Sequence, residues 1–259
     1  MDYSEIKFSP EELNRYNRQI IYPDWGIEGQ QKVKQATVFI AGAGGLGGPV
    51  SIYLAVAGVG KLRICDNGTV ELSNLNRQIL YTDEDLHQLK VVSAKKNLKK
   101  LNPHLEIECF SETISRDTIE GLAGDADIIV DCLDNFETRY ILNEYAVRKK
   151  LPFVHAGIEG IAGQLTFIHP PDTPCLRCII PEAPPPKIFP VIGVTPGIIG
   201  CLEVNEVLKY LTGIGSNLKG FLLIWNGNDT DFYRIEVAKD PNCPVCGQRA
   251  NAVSGEGIK

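Results

Sequence analysis

The sequence predicts an α/β fold: a mostly parallel sheet with helices on both faces, preceded by N-terminal helices and followed by an antiparallel C-terminal extension. Three observations carry this prediction. Short apolar, β-branched runs alternate with helical patterns across residues 36–157, the rhythm of strand–helix–strand crossovers. A glycine-rich turn, Gly42-Ala-Gly44-Gly-Leu-Gly47-Gly48, stands where the first strand hands over to a helix. The 259 residues are 44% hydrophobic and 22% charged, enough apolar material for a full core without disulfide or metal staples.

Each element follows from local pattern. Residues 11–35 read as two short helices around the Pro/Gly break at 22–26. Ala36–Ala41 is a buried strand, and a helix runs from Pro49 to Ala57. Lys61–Cys65, Glu106–Phe110, Asp127–Cys132 and Pro152–Ala156 are further strands; Val91–Leu101, Arg116–Leu122 and Glu137–Lys149 are the helices between them. Residues 163–168 and the hairpin 221–237, turning at 226–229, read as antiparallel. Residues 170–196 carry nine of the sixteen prolines. Proline lacks a backbone donor and fixes φ, so no regular structure is expected there, and so long a crossing suggests a lid or binding element. A helix from Pro196 to Leu211 follows. The expected organisation is one domain, 1–250, with a nucleotide-binding part at 36–157, a second part at 158–248 and a tail at 251–259.

A formal net charge of −6 argues against a broad electrostatic grip on nucleic acid. No run approaches the ~18 apolar residues of a membrane span. The start, MDYSEIKFSPEELNRY, is acidic and polar where a signal peptide is basic then apolar. A cytoplasmic protein with reduced thiols is expected. Eight cysteines then need another explanation than disulfides. Cys175-Leu-Arg-Cys178 and Cys243-Pro-Val-Cys246 are two C-x2-C pairs, the spacing of a four-thiolate zinc site. A redox pair would be expected beside a strand-to-helix turn, and both pairs stand in loop-like sequence. Cys65, Cys109, Cys132 and Cys201 read as small apolar fillers, with Cys201 a buried, inert thiol in the helix after the proline-rich crossing.

Gly42-x-Gly44-x-x-Gly47 after a strand and before a helix is the Rossmann-like context for binding nucleotide phosphate. The glycines let backbone approach phosphate, and a helix N-terminus offers free N–H groups. Asp66, at the end of the next strand, can accept from a ribose hydroxyl. The glycine motif alone suits an NAD-dependent dehydrogenase. The polar run from Asp66 to Gln78, bringing Asn74 and Arg77, points elsewhere, as do Lys90 and Asp134-Asn135 at the same sheet edge. A carboxylate beside phosphates calls for a hard cation, so Asp134 is a candidate Mg²⁺ ligand. Arg, Lys and Mg²⁺ together serve chemistry at phosphorus. Hydride transfer needs none of them.

The motifs RYNRQI at 15–20, GAGGLGG at 42–48, SNLNRQ at 73–78, Lys90, DCLDN at 131–135 and the paired C-x2-C together resemble the ThiF/MoeB/HesA family, prokaryotic relatives of ubiquitin-activating enzymes, over residues 11–248. Within that family the motif pattern is nearest to MoeB. The resemblance implies a homodimer that uses Mg-ATP to adenylate the C-terminal Gly-Gly carboxylate of a small ubiquitin-like sulfur-carrier protein, MoaD- or ThiS-like, with release of pyrophosphate. It implies that Gly42, Gly44, Gly45 and Gly47, with Asp66, Ser73, Asn74, Arg77, Lys90, Asp134 and Asn135, contact the nucleotide. Arg18, Arg77, Lys90 and Asp134 would be catalytic, with Arg18 reaching the partner subunit's ATP. The four paired cysteines would hold structural zinc, and the proline-rich crossing would receive the carrier's tail. The loop 181–194 lacks the cysteine that thioester- or acyl-disulfide-forming members carry, so adenylation alone is expected, with sulfur coming from a separate donor. Two alternatives keep the fold: the same chemistry on a tRNA-linked or peptide carboxylate, and an inactive binding subunit.

Overall fold

The computed structural model describes residues 7–185 and 188–247. The predicted tail, 251–259, and positions 186–187 of the proline-rich crossing lie outside the described residues. Eight strands form one sheet in the order β3-β2-β1-β4-β5-β6-β7-β8. The five from β3 to β5 are parallel: β1 (Thr37–Ala41), β2 (Lys61–Cys65), β3 (Glu106–Phe110), β4 (Ile128–Asp131) and β5 (Phe153–Glu159). β6 (Ala162–Ile168), β7 (Phe221–Asn226) and β8 (Asp231–Glu236) continue the sheet antiparallel.

The inner parallel strands β1 and β4 read as near-continuous apolar runs because both of their faces are covered, whereas edge strand β3 alternates Glu106, Ile107 and Glu108. Val38 and Ile40 of β1 enter one core and Phe39 and Ala41 the other, the period-two alternation of a strand. The first core is closed by α4 (Gly47–Ala57), α5 (Lys90–Leu101) and α9 (Val194–Thr212), the second by α6 (Ile119–Ala123) and α7 (Phe136–Lys149). α4 ends at Gly58, whose φ of 90° and closeness to Tyr16, 2.6 Å from where a Cβ would stand, admit only glycine.

Four details differ from the sequence reading. The first expected helix is two, α1 (Pro10–Arg15) and α2 (Asn17–Ile20), divided at Tyr16, and the second is α3 (Gly26–Gln35); α1 starts on a capping box in which Ser9 and Glu12 bond each other's backbone N–H. Two short 3-10 turns, Leu72–Asn74 and Asp83–Asp85, shape the stretch before α5 (Lys90–Leu101). The proline-rich crossing contains one helical turn, α8 (Leu176–Ile179), started by the pairing of Leu176 N–H with the Asn143 side chain at 2.8 Å. Cys201 is exposed, not buried. It shares its stripe of α9 with exposed Asn205, whereas Glu203 and Glu206 face inward. Reading the run IIGCLEV by apolarity assigned the inward place to the wrong residue. Cys65 and Cys132 are buried as expected, and Cys109 is half-buried.

Candidate active site

In strand order β3-β2-β1-β4-β5, successive crossovers leave β1 in opposite directions, so a crevice opens beyond the carboxyl ends of β1 and β4, where open α/β sheets bind ligands. The glycine loop 42–47 leaves β1 there and the turn 132–135 leaves β4. They are in contact: a Cβ on Gly42, whose φ is 98°, would lie 2.7 Å from the Cys132 carbonyl oxygen. A Cβ on Gly47 would lie 2.1 Å from the Gly42 oxygen. Both positions require glycine for the loop to close.

Asp66 extends from the end of β2 and uses both carboxylate oxygens locally. Oδ2 accepts from Ala43 N–H and Oδ1 from Gly68 N–H, each at 2.8 Å. It thereby ties the glycine loop to the following turn. Lys90, the first residue of α5, brings its ammonium to 3.5 Å from the Cβ position of Gly68, beside Asp66. Arg77 is half-buried, and its Nη1 donates to the Ser73 carbonyl at 2.8 Å and to Asn76 Oδ1 at 3.1 Å. Its side chain passes Gly45, which also faces Pro196 at the start of α9. The glycine loop, Asp66, Arg77 and Lys90 are thus brought to one crevice, with the proline-rich crossing alongside, since Gly193 packs against Asn76 and Arg77.

Other expected residues have local tasks. Asn74 is buried and accepts from Glu71 N–H at 3.2 Å. Ser73 is exposed and bonds Glu71 at 3.3 Å. Asn135 caps α7, accepting from Thr138 N–H at 2.9 Å. Asp134 is exposed between that cap and β4 and has no hydrogen bond or ion pair among the described residues. Arg18, on α2, is exposed and equally free of partners among them.

Sequence reasoning missed the residues beneath the crevice. Tyr81 is buried and donates to the Ala43 carbonyl at 2.7 Å; burial raises its phenol far above the usual range, so the proton stays to be donated. Asp131, Arg139 and His155 form a buried polar cluster under the turn 132–135. Only the terminal Asp of the run IIVD hinted at it. Glu203 is wholly buried with neither carboxylate oxygen bonded, and burial, with Asp131 adding to it, lifts its carboxyl well above the ordinary carboxylate range.

On the far side of α7, all four paired cysteines converge, their sulfurs within 4.8 Å of one another. Cys175 and Cys243 stand 3.6 Å apart, Cys178 and Cys246 3.4 Å. A tetrahedral Zn²⁺ with ~2.3 Å bonds places its sulfurs ~3.8 Å apart. The Asn143 amide reaches Cys175 Sγ at 3.7 Å and Asp240 N–H reaches Cys178 Sγ at 3.4 Å, the outer donors that a thiolate site needs. Burial pushes the Cys178 thiol up to about 11; a bound cation reverses that preference by favouring thiolate. The cluster could hold zinc, and it joins the crossing segment to the chain's end.

The sequence pattern of the ThiF family matches residues 16–245. The chain belongs to the ThiF family. It is 41% identical over 253 residues to the sulfur carrier protein adenylyltransferase of Thermus thermophilus, covering 93% of each, and 39% identical to the SAMP-activating enzyme E1 of Haloferax volcanii, covering 92% of this chain and 90% of that one. Adenylyltransferase and sulfurtransferase MOCS3 of Mus musculus is 38% identical, but this chain spans only 54% of it. Among solved structures, E. coli MccB with ATP superimposes with a TM-score of 0.80 at 27% identity, covering 90% of this chain and 74% of that one. As a ThiF family member this protein is an adenylyltransferase that uses ATP. Among the described residues, no helix is long and apolar enough to cross a membrane.

Proposed function

We propose that the protein adenylates the C-terminal Gly-Gly carboxylate of a small ubiquitin-like sulfur-carrier protein, MoaD- or ThiS-like, in molybdopterin, thiamine or related biosynthesis. The observation that carries this reading is the convergence of Arg77, Lys90 and the glycine loop on the switch-point crevice, beside the proline-rich crossing that would receive the carrier's tail. The 41% identity to a sulfur carrier protein adenylyltransferase supports the acceptor.

The loop N–H groups and the α4 N-terminus would cradle phosphate, because unpaired amides and the helix dipole favour negative charge there. Asp66, already bonding two backbone N–H groups, would turn its remaining acceptor capacity to the ribose, and Gly42, Gly44, Gly45, Gly47, Ser73, Asn74 and Asn135 would line the nucleotide. The carrier carboxylate attacks the α-phosphorus; the bond to the bridging oxygen breaks and pyrophosphate leaves with that oxygen's electron pair. Arg77 and Lys90 would stabilise the charge that grows on the leaving group, the term that dominates such catalysis. Asp134, exposed and without a protein partner, suits a Mg²⁺ ligand in the crevice. When bound, Mg²⁺ neutralises phosphate charge. Arg18, exposed and unpaired on α2, would supply charge to the partner subunit's site in a homodimer, as an arginine acting in trans can. Cys175, Cys178, Cys243 and Cys246 would hold structural Zn²⁺, four sulfurs leaving no open position for catalysis. The described part of the 181–194 loop has no cysteine, so sulfur would reach the adenylate from a separate donor.

ATP–pyrophosphate exchange measured with a panel of Gly-Gly-ending carriers tests the reading. Carrier-dependent exchange, lost in Asp134→Ala, is expected. Exchange that no carrier stimulates would overturn it.

A further inference from the structure

Beneath the turn that carries Asp134 lies a polar cluster with no part in the chemistry so far described. Asp131, the last residue of β4, and His155, in register on neighbouring β5, are both fully buried. His155 Nδ1 lies 2.7 Å from Asp131 Oδ2. Asp131 Oδ1 accepts from Leu133 N–H at 3.1 Å. Arg139, buried on α7, places Nε 3.4 Å from Asp131 Oδ2 and donates from Nη2 to the Leu133 carbonyl at 2.5 Å. Both backbone groups of Leu133 are therefore taken, one by the carboxylate and one by the guanidinium. The next residue is Asp134.

His155 decides how that carboxylate is turned. Arg139 alone leaves Asp131 free to rotate about its terminal torsion, which is broad and two-fold for a carboxylate. The bond from His155 Nδ1–H occupies Oδ2 and leaves Oδ1 for Leu133. A histidine that merely filled the core would have both nitrogens satisfied, yet His155 Nε2 has no partner among the described residues. An apolar side chain would fill the space without that orphaned atom, whose burial without a partner costs stability. What offsets the cost is the single bond to Asp131.

We infer that His155 is a positioning residue: through Asp131 and Arg139 it fixes the turn 132–134 and so the placement of the Asp134 carboxylate in the crevice. The link to metal binding rests on the adenylation reading above; the link to the turn does not. His155→Asn keeps a donor at the place of Nδ1, and His155→Ala removes it. Two measurements on the whole 259-residue chain separate positioning from core filling: amide hydrogen exchange across residues 129–136, with β2 as reference, and the Mg²⁺ concentration giving half-maximal carrier-dependent exchange. His155→Ala is expected to speed Leu133 amide exchange about tenfold, the protection one hydrogen bond supplies, with β2 unchanged. It is also expected to raise the Mg²⁺ requirement several-fold, and His155→Asn to restore both. If the Ala variant does not fold, His155→Gln, whose donor lies beyond reach of Asp131, replaces it. Unchanged Leu133 exchange, equal loss at Leu133 and β2 in both variants, or an unchanged Mg²⁺ requirement overturns the inference. A wild-type protein without carrier-dependent exchange overturns the adenylation reading instead, while the hydrogen-exchange result still judges the turn.

Discussion

Replacing Glu203 with Gln makes the protein more stable, and by more as pH rises. Glu203 is 0% exposed on the inner face of α9, and neither carboxylate oxygen finds a hydrogen bond among the described residues. Burial holds its carboxyl well above the ordinary range, with the nearby Asp131 charge adding to the effect and Arg139 opposing it. The folded protein therefore keeps a proton that the unfolded chain releases near the ordinary glutamate pKa. Where the unfolded state binds fewer protons than the native state, stability falls with pH, by about 1.4 kcal/mol per unit for one group. The loss begins above the unfolded pKa and ends only where folded Glu203 itself ionises. Gln keeps the shape and has no proton to lose. For every pH unit between the unfolded pKa and the pH at which folded Glu203 ionises, its advantage should grow by about 1.4 kcal/mol, which for a chain of this size is a relative rise in melting temperature of about 3–6 °C. Calorimetric melts of both proteins across that range measure it. A difference that stays flat with pH, or a Gln variant less stable throughout, refutes the reasoning, because Glu203 would then be ionised and partnered.

Other outcomes follow from the same geometry. Gly47→Ala sets a methyl against the Gly42 carbonyl, and nucleotide affinity by calorimetry should fall at least about tenfold as the phosphate loop deforms. Arg77→Ala should lower carrier-dependent exchange by about 10²–10³ in rate, the usual worth of one preorganised charge-stabilising donor, with little change in melting temperature. Cys246→Ser should reduce bound zinc, measured by elemental analysis, and expose residues near 240 to limited proteolysis, since the cluster ties that segment to α8 (Leu176–Ile179). Cys201→Ala should leave carrier-dependent exchange at the wild-type rate, and no thioester-linked or reducible carrier conjugate should form on the protein; a conjugate that Cys201→Ala abolishes would give the exposed thiol a covalent part in the reaction.

Much of the fold was legible because its elements are locally self-consistent. β2 and β3 begin and end at the expected residues, Lys61–Cys65 and Glu106–Phe110, and the glycine loop can hardly close with any other residue at 42 and 47. The cysteine spacing likewise predicted a cluster between segments far apart in sequence. What escaped notice depends on tertiary neighbours. Cys201, expected inside, is exposed while Glu203 is buried, because the facing of a helix decides burial and composition does not. Asn135, expected to contact the nucleotide, also caps a helix, a task its neighbours in sequence did not announce. Arg139 and His155 have the residue types of a surface, and only the folded sheet and α7 bring them to Asp131. The carboxyl edge of the sheet was readable as a site; the polar underpinning of that site was not.

In the proposed reaction a carrier carboxylate is joined to AMP. Intact mass spectrometry of a Gly-Gly-ending carrier, incubated with this protein, ATP and Mg²⁺, tests it most directly. The expected product is a carrier heavier by one adenylyl group at its C-terminal glycine, absent without ATP and released by hydroxylamine. An unmodified carrier beside ATP turned over to ADP would contradict it.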